Sequence, residues 1–318
     1  MKKRKFSFPY NATNPTIFLE ELDKRKEYID NVYVGIPFLV KNHLSAEMKE
    51  QIDDYSELSH RFLLASRGKY KRLLTINSGC YMNNTRDMLE WCDRILLPYI
   101  EEVSLDGCIV TDYNMCKYIH ECLPKLELHT SCNCFQWNIR QMELWRDKCG
   151  ISVFNPPREI LRTPSKLKEM HDNGFKLKCL INEGCLYGCP QTINHCMAYA
   201  TDTGINTNCI RDDISNFFRG NWVIPRWLDI LDEYVDIYKL AGRHRVDMSI
   251  FSTLDNYIRG EEVNDIRKIL IGGVNNYAIK YNVPISYSII PDKLLTCECK
   301  ECRKTCFICD NLAKKYFK

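Results

Sequence analysis

The chain has 318 residues, 45% of them hydrophobic, and a formal net charge of +3, which is enough apolar material for one large domain or two ordinary ones without disulfide staples. That charge neither requires nor excludes a nucleic-acid partner, and no stretch approaches the roughly 18 to 20 consecutive apolar residues that cross a bilayer. Eighteen cysteines behind a first segment, MKKRKFSFPY, that lacks an apolar signal core predict a cytoplasmic protein with reduced thiols, not a secreted disulfide scaffold.

In chain order, a strand is expected at 5–9 and a helix at 16–28, then a strand at 31–38. Strand 72–77 precedes helix 85–98, strand 107–111 precedes helix 115–123, and strand 126–130 precedes helix 138–148. Strand 150–154 leads into helix 164–173. Strand 175–181 is followed by a long connection to helix 224–234 and the last strand at 235–240. Several of these helices open on a Thr, Asp or Asn able to cap orphan amides. Eight β/α units predict an α/β fold, a (β/α)8 TIM barrel over residues 1–245, ahead of a doubly wound open sheet with similar alternation. Residues 246–318 are expected to supply helical cover, at 253–281, and a Cys-rich metal-binding extension.

A barrel does its chemistry where strands end and βα loops begin. Candidate polar ends are Asn77 to Cys80, Thr111 to Asn114, His129 to Cys134, Asn155 to Glu159, Asn182 to Cys185 and Lys239 to Arg243. The seventh loop stands apart, since some forty residues without an obvious element point to a functional insertion or disorder. It contains Cys185, Cys189, Cys196 and Cys209, with Cys179 in the strand before them. Four thiolates close a tetrahedral zinc site or carry a 4Fe–4S cluster. Compact zinc sites favour paired knuckles, so the irregular second half of this spacing favours the cluster. Whether Cys179 or Cys209 is the fourth ligand stays open.

A second concentration, CECKECRKTCFIC, holds Cys297, Cys299, Cys302, Cys306 and Cys309. Five thiols at this density point to a metal, either a second Fe–S cluster or zinc. Cys92, Cys108, Cys116, Cys122 and Cys149 read as packing residues on helix and strand faces, while Cys80, Cys132 and Cys134 could reach the barrel mouth. A Cys–His protease needs an imidazole beside an activated thiol and an orienting third group, which the adjacency of His195 and Cys196 does not provide. His129, at a strand end, is the better catalytic histidine.

The blocks DGCIVTDYNMCKYIHECLPKLELHTSCNCFQWN, FNPPREI, LINEGCLYGCP and VDIYKLAGR resemble, in this order, those of the collagenase-like peptidase family (U-thirty-two), a set of TIM barrels, over roughly residues 70 to 245. The family pattern maps onto His129 to Asn133, Arg158 with Glu159, Glu183 to Cys196, and Lys239 to Arg243. Ala241 departs from it, standing where the family usually has Glu. Despite the peptidase label, the resemblance implies an iron–sulfur protein with a four-cysteine 4Fe–4S site that hydroxylates aromatic rings or RNA bases without molecular oxygen.

The expectation is therefore a 4Fe–4S barrel enzyme performing redox or hydroxyl transfer on a small molecule, peptide or RNA. Arg158 would clamp a substrate carboxylate or phosphate, His129 and Glu183 would move protons, and Lys239 and Arg243 would add positive charge at the mouth. A metal- or thiol-dependent peptidase, or a non-catalytic Fe–S partner, are the alternatives. A homologous partner subunit is an expected partner, and a membrane is not.

Overall fold

The first expectation the structure meets is the strand pattern. In the computed structural model the strands are β1 (Phe6–Pro9), β2 (Ile29–Val34), β3 (Arg72–Ile76), β4 (Gly107–Val110), β5 (Glu127–Thr130), β6 (Ile151–Val153), β7 (Lys178–Leu180) and β8 (Ile237–Lys239). The structure describes residues 3–36, 52–77, 84–195, 213–243, 247–260, 263–272, 284–297 and 302–317. All eight strands are parallel, in the order β6-β5-β4-β3-β2-β1-β8-β7. The ends meet through a parallel bridge between Phe154 and Leu177, in which the Phe154 amide donates to the Lys176 carbonyl at 2.8 Å and the Lys178 amide to the Phe154 carbonyl at 2.7 Å. The chain is a (β/α)8 TIM barrel.

Strand pleat divides the side chains into two populations. One set, including Phe8, Val32, Leu74, Cys108, Leu128, Cys179 and Tyr238, joins the large core between strands and helices. The register aligns the other set inside the barrel: Ser7 with Asn31 and Lys239, Tyr33 with Leu73, Thr75 with Ile109, Ile109 with His129, and Lys178 with Ile237. Tyr33, Leu73 and Ile109 form a small apolar cluster separate from the main core. Gly107 belongs to this inner layer, where a Cβ would collide with the Glu127 carbonyl. Glycine lets β4 and β5 approach at this point.

The helices follow their capping signals. Asp112 caps Tyr113–Cys122 by accepting from the Met115 amide, and Asn138 caps Ile139–Cys149 by accepting from the Gln141 amide. The helix at 16–28 is instead Pro15–Asp23 followed by a separate 3-10 turn, Lys26–Tyr28. The helix expected to end at Pro98 continues. A π turn at Cys92–Leu96 leads into Leu97–Glu102 with Pro98 in its first turn, where a missing amide costs no bond. The stretch expected as helix at 224–234 is shorter, a 3-10 turn at Pro225–Trp227 and a single turn at Leu228–Leu231. Helical cover at 253–281 is also interrupted. Helix Ser249–Arg259 stops at Gly260, whose φ of 67° closes the helix in the left-handed region, and only a 3-10 turn at Ile266–Lys268 follows before 273–281, which lie outside the described residues.

The segment after 284 packs against the barrel. Leu294, Leu295, Cys309, Ala313 and Phe317 are buried in the same core as the strands, and Phe317 meets Phe217 and Phe218 at 5.6 and 5.7 Å between ring centroids. Cys122, expected as a packing residue, is exposed, while Cys92, Cys108, Cys116 and Cys149 are buried.

Candidate functional site at the barrel mouth

The centre of the barrel is polar and closed. His129 is fully buried, with Nε2 at 2.7 Å from Glu127 Oε1 and Nδ1 at 2.6 Å from Lys178 Nζ. Burial, followed by the nearby Lys178 ammonium, holds the imidazole at a pKa of about 3. Burial alone would raise Glu127, but its bonds to His129 and Lys71 hold it at about 2. A carboxylate accepts only, so the neutral ring donates from Nε2 to Glu127 and accepts at Nδ1 from Lys178. Both ring nitrogens are thereby committed, so the expectation that His129 reaches into the mouth as a proton-transfer group meets a side chain enclosed at mid-barrel. Lys178, buried beside it, has its pKa driven strongly down by burial and by Lys239.

Above this layer, at the C-terminal strand ends, four cation-bearing or anion-bearing side chains converge. Lys239, at the end of β8, is 7% exposed and places Nζ 4.5 Å from the centre of the Tyr33 ring. Arg243 lies over the same ring at 5.8 Å. Burial is the largest influence on Lys239. The Cys132 sulfur and Glu183 pull its pKa up and Arg243 and Arg158 push it down, leaving it at about 8. Arg158, in the 3-10 turn Arg158–Arg162 after β6, donates from Nε to Glu183 and from Nη1 to Asn133 Oδ1 at 2.9 Å. Arg158, Arg243 and Glu183 all lie within electrostatic reach of Lys239, so the charges of the mouth converge on one place. Arg158 therefore pairs with Glu183, while the adjacent Glu159 is buried and has its pKa raised by that burial.

Buried polar atoms collect at the same end. Asn77 Oδ1, Thr111 Oγ1, the Gln136 amide and the Asn155 amide have no hydrogen-bond partner among the described residues. Asn182 fixes the mouth's far side, since its side chain donates to the Ala241 carbonyl at 3.1 Å and accepts from the Ala241 amide at 2.7 Å. Ala241 thereby serves through its backbone, so a residue with no side-chain chemistry suffices there.

The seventh loop rises directly from this floor. Glu183 bridges Ile271, and two residues later Cys185 accepts through its carbonyl from the Asn221 amide at 2.7 Å. Gly188, with φ 64°, turns the chain so that Cys189 follows within the same loop. Both thiols are half-buried, and His195 stands near the Arg158–Glu183 pair with its pKa lowered, first by burial and then by Arg158. Two soft, partly exposed donors in a C-x3-C spacing beside a cationic mouth fit half of a four-thiolate set. Cys196 and Cys209 lie outside the described residues. Cys179 faces away, fully buried in the core between strands and helices, which removes it from the candidates for the fourth ligand. Among the described residues no three His, Cys, Asp or Glu side chains are arranged to hold a single metal ion.

Of the expected mouth residues, the structure brings together Arg158, Glu183, Lys239 and Arg243. Cys132 and Asn133, expected at the same strand end as His129, join them; the structure adds Tyr33 and places Lys178 beneath. Tyr33 carried no sequence signal beyond its place in an apolar run. Among the described residues no helix is long and apolar enough to cross a membrane.

The chain is 23% identical over 262 residues to a protein named Uncharacterized protease MJ1657 from Methanocaldococcus jannaschii, covering 74% of this chain and 76% of that one. A solved structure described as the U32 peptidase Mk0906 aligns with a TM-score of 0.49 and 13% identity, over 76% of this chain and 94% of the other. The model of Peptidase family U32 matches residues 19–183, just over half of the sequence. On that match, the chain belongs to peptidase family U32.

Proposed function

We propose that this barrel is an iron–sulfur enzyme that performs a redox or hydroxyl-transfer modification on an anionic substrate held at its mouth. The observation that carries this reading is the convergence of Lys239, Arg158 and Arg243 under the loop that presents Cys185 and Cys189. Cys185 and Cys189, with Cys196 and Cys209, are the thiolates offered to a 4Fe–4S cluster. Such a cluster supplies one-electron chemistry when bound.

The rest of the work falls to the chain's own groups. The Arg158 fork suits a carboxylate or phosphate, and Glu183 holds that fork in place while remaining close enough to exchange a proton with a bound molecule. Lys239 contributes charge from a site without competing water, where it acts more strongly than it would at the surface. A small carboxylic acid, a peptide terminus or an RNA phosphate all fit this chemistry.

A peptidase is the second reading, favoured by the name of the Methanocaldococcus relative, with Cys132, a buried thiol within electrostatic reach of Lys239, as its candidate nucleophile. The two readings separate on one variant series, with benzoate and 5′-AMP as carboxylate and phosphate probes. Arg158→Lys should weaken binding of at least one probe about tenfold, since a point charge replaces a two-pronged donor, and should leave bound iron unchanged. Unaltered affinity for both probes would make Arg158 a structural partner of Glu183 only. Peptide hydrolysis that disappears in Cys132→Ala would favour the peptidase.

A further inference from the structure

In the C-terminal segment four of the five expected cysteines line one small cavity, while Cys299 lies outside the described residues. Cys297, Cys302, Cys306 and Cys309, with Lys293, Leu294, Thr305 and Asp310, line about 200 Å3. All four are free thiols, three of them half-buried and Cys309 buried. We propose that these four cysteines form a second site, a cage for a polynuclear iron–sulfur cluster distinct from the site of Cys185 and Cys189.

The backbone around the cavity is built for a fixed shape. Cys302 and Cys306 are joined by a parallel bridge, with the Arg303 amide donating to the Cys306 carbonyl at 2.9 Å. Arg303 takes a φ of 58°, a left-handed conformation that costs a non-glycine residue energy and has to be held by its surroundings. The restraint is visible. The Arg303 guanidinium bonds Asp310 at 2.7 Å and also Asp213, while Arg219 bonds both of those carboxylates, at 2.8 Å to Asp310 and 3.1 Å to Asp213. Arg219 also faces the Cys302 sulfur, and Arg162 and Arg219 both lie within electrostatic reach of Cys309. Two guanidinium groups beside the cavity offset the negative charge that four thiolates bring to a cluster.

Size decides between a cluster and zinc. Four thiolates on one zinc ion sit about 2.3 Å from it, so their sulfurs touch around a point. Here no three of the described ligands close on a single ion. The four cysteines instead line a cavity of about 200 Å3, room for more than one atom between them. A space of that size suits a cluster whose four corners each bind a different thiolate. Among the described residues Cys185 and Cys189 do not line this cavity, and its own four cysteines make up a four-thiolate set.

The test uses the full chain, reconstituted anaerobically with ferrous iron and sulfide and then alkylated with iodoacetamide. Cys297, Cys302 and Cys306 should be protected in the loaded chain and labelled after the cluster is stripped, as read residue by residue in a mass spectrum. Cys302→Ser/Cys306→Ser should lose about four iron atoms per chain, and Cys185→Ser/Cys189→Ser should keep this protection. Equal labelling of loaded and stripped wild-type chain would overturn the proposal without reference to whether any variant folds. Protection by one equivalent of zinc, with none by iron and sulfide, would also overturn it. Loss of tail protection in the Cys185→Ser/Cys189→Ser chain would show one shared site in place of two, whereas failure of the loop reading alone would leave the tail result intact.

Discussion

Replacing Arg162 with alanine is expected to destabilise the protein by about 3–5 kcal/mol, the range for removing one partner from a buried charged network. Arg162 is 2% exposed. Its Nε and Nη2 donate to the Gly220 carbonyl at 3.0 and 2.6 Å, Nη2 to Phe218 at 3.2 Å, and Nη1 to Leu294. The guanidinium lies 5.3 and 5.5 Å from the rings of Trp222 and Trp227, which stack on one another. One side chain after β6 therefore ties the end of the seventh loop to the C-terminal segment. Alanine takes the guanidinium donors away from three carbonyls and leaves a hole beside two indoles. Thermal unfolding should show a fall of roughly 6–15 °C for a chain of this size, with the C-terminal segment becoming the first site of limited proteolysis. A change of 1 °C or less would mean that the carbonyls find other donors and that the segment is not held through Arg162.

Lys239→Met should do the opposite to stability while removing function. Burial lowers the ammonium from 10.5 to about 8, so keeping it charged in the folded state at pH 7 costs about 3 kcal/mol. Methionine fills similar space without that cost, and a gain of about 1–3 kcal/mol at pH 7 is expected. The sign follows from proton counting. Between pH 8 and 10.5 the unfolded chain holds a proton that folded Lys239 has lost, so wild-type stability rises with pH relative to the variant and the gap closes toward pH 10.5. Binding of benzoate or 5′-AMP should fall about 10- to 100-fold in the variant, the worth of one charge-assisted hydrogen bond. In the wild type it should weaken about tenfold per pH unit above 8, as Lys239 loses its charge. A variant that is less stable at pH 7, or that binds both probes as well as wild type, would remove Lys239 from the site.

The strands were legible because each is a short apolar run between polar turns, and eight of them at this spacing leave few architectures. What the runs concealed was which side chains face inward. Lys178 reads as a charged interruption of an apolar strand, yet the register turns it to the barrel axis against His129, and that same contact withdraws His129 from the mouth. Arg158, Glu183, Lys239 and Arg243 were legible as polar residues at strand ends. Their pairing was not, since Arg158 meets a residue 25 positions away rather than its neighbour Glu159. Arg162 carried no signal, because its bonds go to backbone carbonyls, which every residue type provides. Pro98 misled for a physical reason: a π turn before it absorbs the lost amide, so the helix passes through a residue that ordinarily stops one.

The most direct measurement is iron and acid-labile sulfide per chain in anaerobically purified protein, with electron paramagnetic resonance after reduction, for wild type and for Cys185→Ser/Cys189→Ser. An iron–sulfur barrel predicts equal iron and sulfide in the wild type, and a loss of about four of each together with the loop cluster's resonance in the variant. Wild-type protein without labile sulfide, or a variant with unchanged iron, sulfide and resonance, would contradict it.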